Sequence, residues 1–136
     1  MKLMIVDDSN IIRNKIERTI QSDHKELTVV GTAKDGMEAV QLFRDTNPDI
    51  VTMDLTMPKM DGIETTKAIR ESGREYSKTP IIALTADVSA ENNAECMAAG
   101  VDIFLTKPIK SHDLIEAMRY VLLMQGQDNN LSLIHI

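Results

Sequence analysis

The sequence predicts an α/β domain: a doubly wound, five-stranded parallel sheet with five helices. Three observations lead there. Short apolar runs alternate with segments of helical periodicity along the whole chain. The stretches between successive runs hold one crossover helix each and leave little over, which is the connection parallel strands require. The middle runs also lack the polar alternation of a half-exposed strand, as strands covered on both faces should.

Taken in order, the strands are Leu3 to Val6, Leu27 to Val30, Ile50 to Met53, Ile81 to Leu84 and Val101 to Leu105. The helices follow them, marked by Ile12, Ile16 and Ile20 in the first and by Leu114, Met118, Val121 and Leu122 in the fifth. Ser9 and Ser111 are placed to cap their helices, and Asp61-Gly62-Ile63-Glu64 has the spacing of a capping box. Gly100 is suited to stop the fourth helix.

A chain of 136 residues with 43% hydrophobic and 26% charged residues is one soluble domain's worth of sequence. That domain is expected over residues 1–124. The polar QGQDNN stretch and the apolar Leu131 to Ile136 form a tail, 125–136, without an evident place in the core. It reads as a disordered, frayed or vector-derived end, or as a strand that pairs with a neighbour at a sheet edge. The formal charge of -6 and the 3% aromatic content argue against direct nucleic-acid binding, for want of a cationic groove or a stacking platform. No apolar run approaches the ~20 residues of a membrane span, and the first strand runs straight into aspartates, so a cytoplasmic protein without membrane insertion is expected. The single cysteine, Cys96, excludes an intrachain disulfide and reads as a small packed residue.

In an open parallel sheet, ligand chemistry gathers beyond the carboxyl ends of the strands, where loops and helix N-termini converge. Those ends carry Asp7 and Asp8, then Asp54, then Thr85, then Thr106 and Lys107, with only Thr32, Lys34 and Asp35 after the second strand. Each has an ordinary reading alone: aspartates before a helix favour its positive end, and a lysine is commonly a solvated charge. Together they read differently. With the first and third strands adjacent, three carboxylates face one another, and their repulsion calls for a cation or for raised pKa values. Oxygen-only ligands with room for water suit magnesium better than calcium, and zinc lacks its His or Cys partners. Lys107 and Thr85 add a positive charge and a hydroxyl, completing the parts that hold a transferring phosphoryl group.

These residues fall within IVDDS at Ile5 to Ser9, MDLTMPKMDG at Met53 to Gly62, LTA at Leu84 to Ala86, and KP at Lys107-Pro108. With these motifs in this order, from about Lys2 to Met124, the chain closely resembles the response-regulator receiver family, in particular its stand-alone, CheY-like chemotaxis members. The resemblance implies a flavodoxin-like sheet of order 2-1-3-4-5 and a signalling switch of a two-component system rather than an enzyme. It makes Asp54 the phosphoacceptor and Asp7, Asp8, Asp54 and the Thr56 carbonyl the ligands of Mg2+, with Mn2+ as a substitute. Asp7 would act largely through water. Lys107, Thr85 and the Ala86 amide would hold the phosphoryl oxygens, and Lys107-Pro108 would be a cis peptide. The donor would be a sensor histidine kinase or phosphotransfer protein. The target would be a protein such as a flagellar motor component, met by the fourth helix, fifth strand and fifth helix. Thr85 and Phe104 would form the switch, and here the chain departs from the chemotaxis pattern, which has tyrosine at the position of Phe104. Thr56 and Asp87 fall where the family tunes dephosphorylation.

Other classes fit less well. A flavin protein of similar topology needs a phosphate loop where Asp7-Asp8 stands, and nucleotide enzymes need glycine-rich loops that are missing. A hydrolase with an aspartyl nucleophile needs a second aspartate where Thr56 stands. A DNA-binding regulator would need a further domain after Met124, and an excised receiver of a longer protein stays open. So does an interaction module that signals without phosphorylation. His24, His112 and His135 show no metal spacing and read as surface residues, and the nine methionines read as adaptable filler.

Overall fold

The computed structural model describes residues 1–23, 26–55, 61–71, 78–86 and 90–124, the side chains of residues 23 and 90–93 excepted. The apolar runs become β1 (Lys2–Val6), β2 (Thr28–Ala33), β3 (Ile50–Asp54), β4 (Ile81–Thr85) and β5 (Ile103–Thr106). The periodic segments become α1 (Asn10–Asp23), α2 (Gly36–Thr46), α3 (Gly62–Arg70), α4 (Ala90–Ala99) and α5 (Ser111–Met124). The strands pair in parallel in the order β2-β1-β3-β4-β5, as the family resemblance implied.

Because alternate side chains leave opposite faces of a strand, the sheet divides the core in two. Leu3, Ile5, Ile50, Ile82 and Leu84 pack on one face with Ile16 and Ile20 of α1 and Leu114, Met118 and Val121 of α5. Met4, Val6, Val51, Met53 and Ala83 pack on the other with Phe43 of α2, Ile69 of α3 and Cys96 of α4. Each fully buried Leu, Ile or Phe contributes about 1.5–3 kcal/mol relative to exposure. The β3 and β4 strands, buried along their whole length, are therefore the most firmly placed supports for whatever stands at their ends.

Two strand boundaries differ from the sequence reading by more than one residue. β2 continues through Gly31 to Ala33 because a bulge lets Val30 step out of register: Leu3 pairs with Val29 and Met4 with Gly31. Glycine lets α2 pack closely there, since a Cβ would meet the end of the Leu42 side chain at 2.8 Å and that side chain would have to shift. β5 starts at Ile103 instead of Val101, because Val101 fills the core beneath the turn while its amide donates to the Cys96 carbonyl. That turn is the expected stop of α4, with Gly100 at φ +109, a backbone conformation that favours glycine.

The helix starts follow the cap chemistry with one exception. Ser9 accepts from the Ile12 amide, Asp61 from the Glu64 amide and Asp35 from the Glu38 amide. Ser111 does not precede its helix; α5 begins at Ser111, the Lys110 carbonyl accepts from the Leu114 amide, and the Ser111 hydroxyl lies 3.0 Å from that of Thr19 on α1. At the amino end of the sheet Arg70 ties three segments together. It donates to the carbonyls of Thr79 and Gly100 and to the Asp102 carboxylate, which itself accepts from the Ile81 amide.

Among the described residues, the hydroxyl of Thr52 is buried at the middle of β3, flanked by Ile5 and Ile82, without a hydrogen-bond partner. A buried polar group in that state costs free energy that an isosteric methyl does not. Thr52→Val is expected to raise the unfolding free energy by about 1 kcal/mol. Urea unfolding of both proteins measures this, and an equal or lower stability of the valine variant would show that the hydroxyl is satisfied.

Candidate functional site

The β1 and β3 strands are hydrogen-bonded neighbours, and both end in acid. Carboxylate oxygens of Asp7, Asp8 and Asp54 all lie within 4.8 Å of one another. Asp7 and Asp54 are completely buried, whereas Asp8 opens to solvent. The cluster forms because β1 and β3 run side by side, while the helices that follow them, α1 and α3, pack on opposite faces of the sheet.

Lys107 supplies the compensating charge. It follows β5, two strands away from β3, and its Nζ stands 3.0 Å from Asp54 Oδ1 and 3.7 Å from Asp7 Oδ2. Its amide donates to the Thr85 carbonyl at 2.8 Å, and the following bond to Pro108 is cis. Asp7 is fixed at three further atoms. Its amide donates to the Ala33 carbonyl, its Oδ1 accepts from the Ser9 amide at 2.9 Å, and its carbonyl accepts from Arg13 Nη1 at 2.6 Å. Oδ2 is left without a hydrogen bond and faces the cluster.

Electrostatics record the crowding. Burial, reinforced by the charges of Asp54 and Asp8, raises the Asp7 carboxyl from its ordinary 3.8 to about 6, against the pull of the Ser9 amide and of Lys107. Asp8 is exposed as a residue, but its carboxyl is also raised, through partial burial first and then through its hydrogen bond with, and repulsion by, Asp54. Three acids against one lysine leave an excess of negative charge that a divalent cation neutralises. An all-oxygen donor set with one face open to water fits a hard ion that keeps part of its hydration, magnesium first among them.

Thr85 ends β4 in a buried position, and Ala86 follows at the exposed rim. Ala83 pairs with Phe104 and Thr85 with Thr106, so Thr85 and Phe104 stand diagonally on one face of the sheet. Phe104 is half-buried against the core under α2, α3 and α4. The structure thus brings Asp7, Asp8, Asp54 and Lys107 together and sets Thr85, Ala86 and Phe104 along the adjoining strands. Thr56 lies outside the described residues, as do Asp87, His24, His135 and residues 125–136. His112 is exposed and Cys96 is packed in the core, where burial pushes its thiol pKa up.

Two contributors escaped the sequence reading. Gly62 opens α3 directly against the end of β3: a Cβ would lie 2.2 Å from the Asp54 carbonyl oxygen, so no other residue lets the helix approach. Its place in the capping-box segment hid that role. Arg13 has no motif to mark it; the signal in the sequence is that it falls three residues before the inward-facing Ile16, on the side of α1 turned towards the sheet.

A doubly wound sheet carrying an acid cluster, a lysine and a buried threonine at the switch-point end defines a phosphoryl-accepting signalling module. The chain belongs to the response regulator receiver domain family, whose sequence profile matches residues 3–119. It is 30% identical to response regulator MprA of Mycobacterium sp. strain KMS, aligning over 94% of this chain and 53% of that protein. It is 37% identical to a protein-glutamate methylesterase/protein-glutamine glutaminase of Methanococcus maripaludis, over 100% of this chain and 37% of that protein. The chain therefore spans about half the length, or less, of these curated relatives. Among solved structures it is similar to chemotaxis protein CheY4 of Vibrio cholerae, with 36% identity, a TM-score of 0.80 and coverage of 89% of this chain and 98% of that one. It is also similar to the CheX-CheY-BeF3-Mg2+ complex of Borrelia burgdorferi, with 30% identity, a TM-score of 0.81 and coverage of 90% and 89%.

The raised carboxyl of Asp7 has a consequence for stability. A group with a higher pKa folded than unfolded contributes stability that is complete below the unfolded value and is lost as pH rises through the folded one, here from 3.8 to about 6. Asp7→Asn removes that loss. With chelator present, the variant is expected to gain stability relative to the parent as the pH rises from about 4 to about 7.5, and magnesium is expected to narrow the gap by favouring the parent. Thermal unfolding across this range measures both, and a difference independent of pH would show that Asp7 is not strained by its neighbours.

Proposed function

We propose that this chain is a phosphorylation-activated switch in which Asp54 accepts a phosphoryl group from a phosphohistidine on a sensor kinase or phosphotransfer protein. The observation that carries the reading is the ammonium of Lys107, 3.0 Å from Asp54 and 3.7 Å from Asp7 inside the acid cluster. An Asp54 oxygen would form the bond to phosphorus as the P–N bond breaks and its electron pair returns to the imidazole nitrogen. Lys107 would shift from the carboxylate to a phosphoryl oxygen, and the Thr85 hydroxyl and Ala86 amide would receive two others. Asp7 and Asp8, with Asp54 and the Thr56 carbonyl, would hold Mg2+, or Mn2+ in its place. When bound, the cation offsets charge on the phosphoryl oxygens.

The receiver occupies residues 1–124 on this reading, and 125–136 form a tail outside it. Output runs through α4, β5 and α5. Phosphorylation adds up to about two negative charges, drawing Thr85 inward so that Phe104 on the same sheet face can turn into the space vacated. The target is a protein, such as a flagellar motor component. The near-complete coverage of the Vibrio cholerae chemotaxis protein favours a chemotaxis-type regulator. A receiver belonging to a longer protein is the second reading, favoured by the partial coverage of MprA and the methylesterase. No helix among the described residues is long and apolar enough to cross a membrane. A cytoplasmic setting follows from the kinase chemistry proposed.

Incubation with a small-molecule phosphodonor and magnesium is expected to add the mass of one phosphoryl group to the protein and none to Asp54→Asn. An intact parent that stays unmodified in mass spectrometry would instead support an interaction module independent of phosphorylation. Phe104→Ala is expected to accept the phosphoryl group at the parental rate while losing most of the phosphorylation-dependent gain in partner capture. Undiminished capture by phosphorylated Phe104→Ala would remove Phe104 from the switch.

A further inference from the structure

Arg13 is tied to the acid cluster without belonging to it. Its Nη1 donates to the Asp7 carbonyl at 2.6 Å, and its Nη2 is held by Asn10 Oδ1 one turn back on α1. The acceptor is what gives this contact its reach. The Asp7 carbonyl and the Asp8 amide belong to one rigid peptide plane, so a donor that fixes the carbonyl also fixes the direction in which the chain enters Asp8. Asp7 has other restraints, from Ala33 and Ser9. Asp8 is exposed, and among the described residues its carboxyl is hydrogen-bonded with Asp54, another acid, while Lys107 acts on it through charge. The peptide plane held by Arg13 is thus a backbone restraint on Asp8, independent of the pairing of one acid with another.

We propose that Arg13 is a positioning residue that sets the cation selectivity of the acid cluster by holding the Asp7-Asp8 peptide plane. The inference rests on the cation-assisted reading given above. Magnesium requires near-ideal octahedral geometry at short metal-oxygen distances, whereas calcium tolerates longer and more variable ones. Loosening Asp8 therefore penalises magnesium more than calcium. Arg13 touches neither cation nor phosphoryl group; its effect passes through the backbone.

The test is isothermal titration calorimetry of magnesium and of calcium into the metal-free parent, Arg13→Ala and Arg13→Lys, with thermal unfolding in chelator as a check on folding. Arg13→Ala is expected to bind magnesium about tenfold more weakly and calcium about as well as the parent, an order of magnitude typical of lost outer-sphere support. Arg13→Lys, which keeps one donor for the Asp7 carbonyl but not the bond to Asn10, is expected to recover part of the magnesium affinity. Equal losses for both cations, or an unchanged magnesium affinity in a folded Arg13→Ala, would overturn the proposal while leaving the phosphoacceptor reading intact. If Arg13→Ala does not fold, Arg13→Lys decides alone: an unchanged ratio of magnesium to calcium affinity overturns the proposal. A parent that binds neither cation would overturn both.

Discussion

Three carboxylates converge at the ends of β1 and β3, and the rest of the site is arranged around the cost of keeping them there. Two of the three are completely buried. In a medium of low effective dielectric, like charges this close raise each other's pKa or draw in a cation. Lys107 meets part of the demand, from a strand on the far side of β4. The remainder is unmet within the described residues, and the Asp7 carboxyl is raised by its burial first and by the charges of Asp54 and Asp8 after that. A site left short of positive charge is poised to take up a divalent ion; on the proposed reading, Lys107 would then turn to the phosphoryl group at Asp54.

Holding such a cluster requires supports that do not themselves yield. β3 and β4 are buried along their full length, and β1 over all but its first residue. Gly62 brings the start of α3 against the Asp54 carbonyl, with the Gly62 amide donating to Leu55 at 3.1 Å, so the strand end is backed by a helix. At the opposite end of the sheet, Arg70 spends its donors on Thr79, Gly100 and Asp102 and pins the starts of β4 and β5 to the end of α4. Burial disfavours its charge, and Asp102 offsets that.

The fold was legible because every level of the sequence agreed on it. Apolar runs without polar alternation, helix starts at Ser9 and Asp61, and a stop at Gly100 each point to the same architecture. What escaped was local. The bulge at Val30 and the early turn at Val101 depend on how Gly31 meets Leu42 and how Val101 meets the core, neither of which a period can report. Ser111 looked like a cap by composition, but its helix starts one residue early and its hydroxyl is turned to Thr19. The principal site residues were legible because strand ends concentrate function, so Asp7, Asp8, Asp54, Thr85 and Lys107 could be picked out by position. Arg13 and Gly62 were not, since one acts through a backbone carbonyl and the other through the side chain it lacks.

The division of the sheet into two faces explains why acceptance and readout can be separate properties. Asp54 shares its face with Ile50 and Thr52, towards α1 and α5, whereas Thr85 shares its face with Ala83 and Phe104, towards α2, α3 and α4. Only at the rim, where the strands end, do groups from the two faces meet. On the proposed reading, a charge added at Asp54 would reach the second face through Thr85 rather than through the packed interior, which resists continuous deformation. The half-buried Phe104, on an edge strand with an exposed end, stands diagonally from Thr85 on that face. Its lack of a hydroxyl restricts what it can tell a partner to shape and apolar area, so recognition of the switched state would rest on packing at β5 and not on a hydrogen bond from this ring.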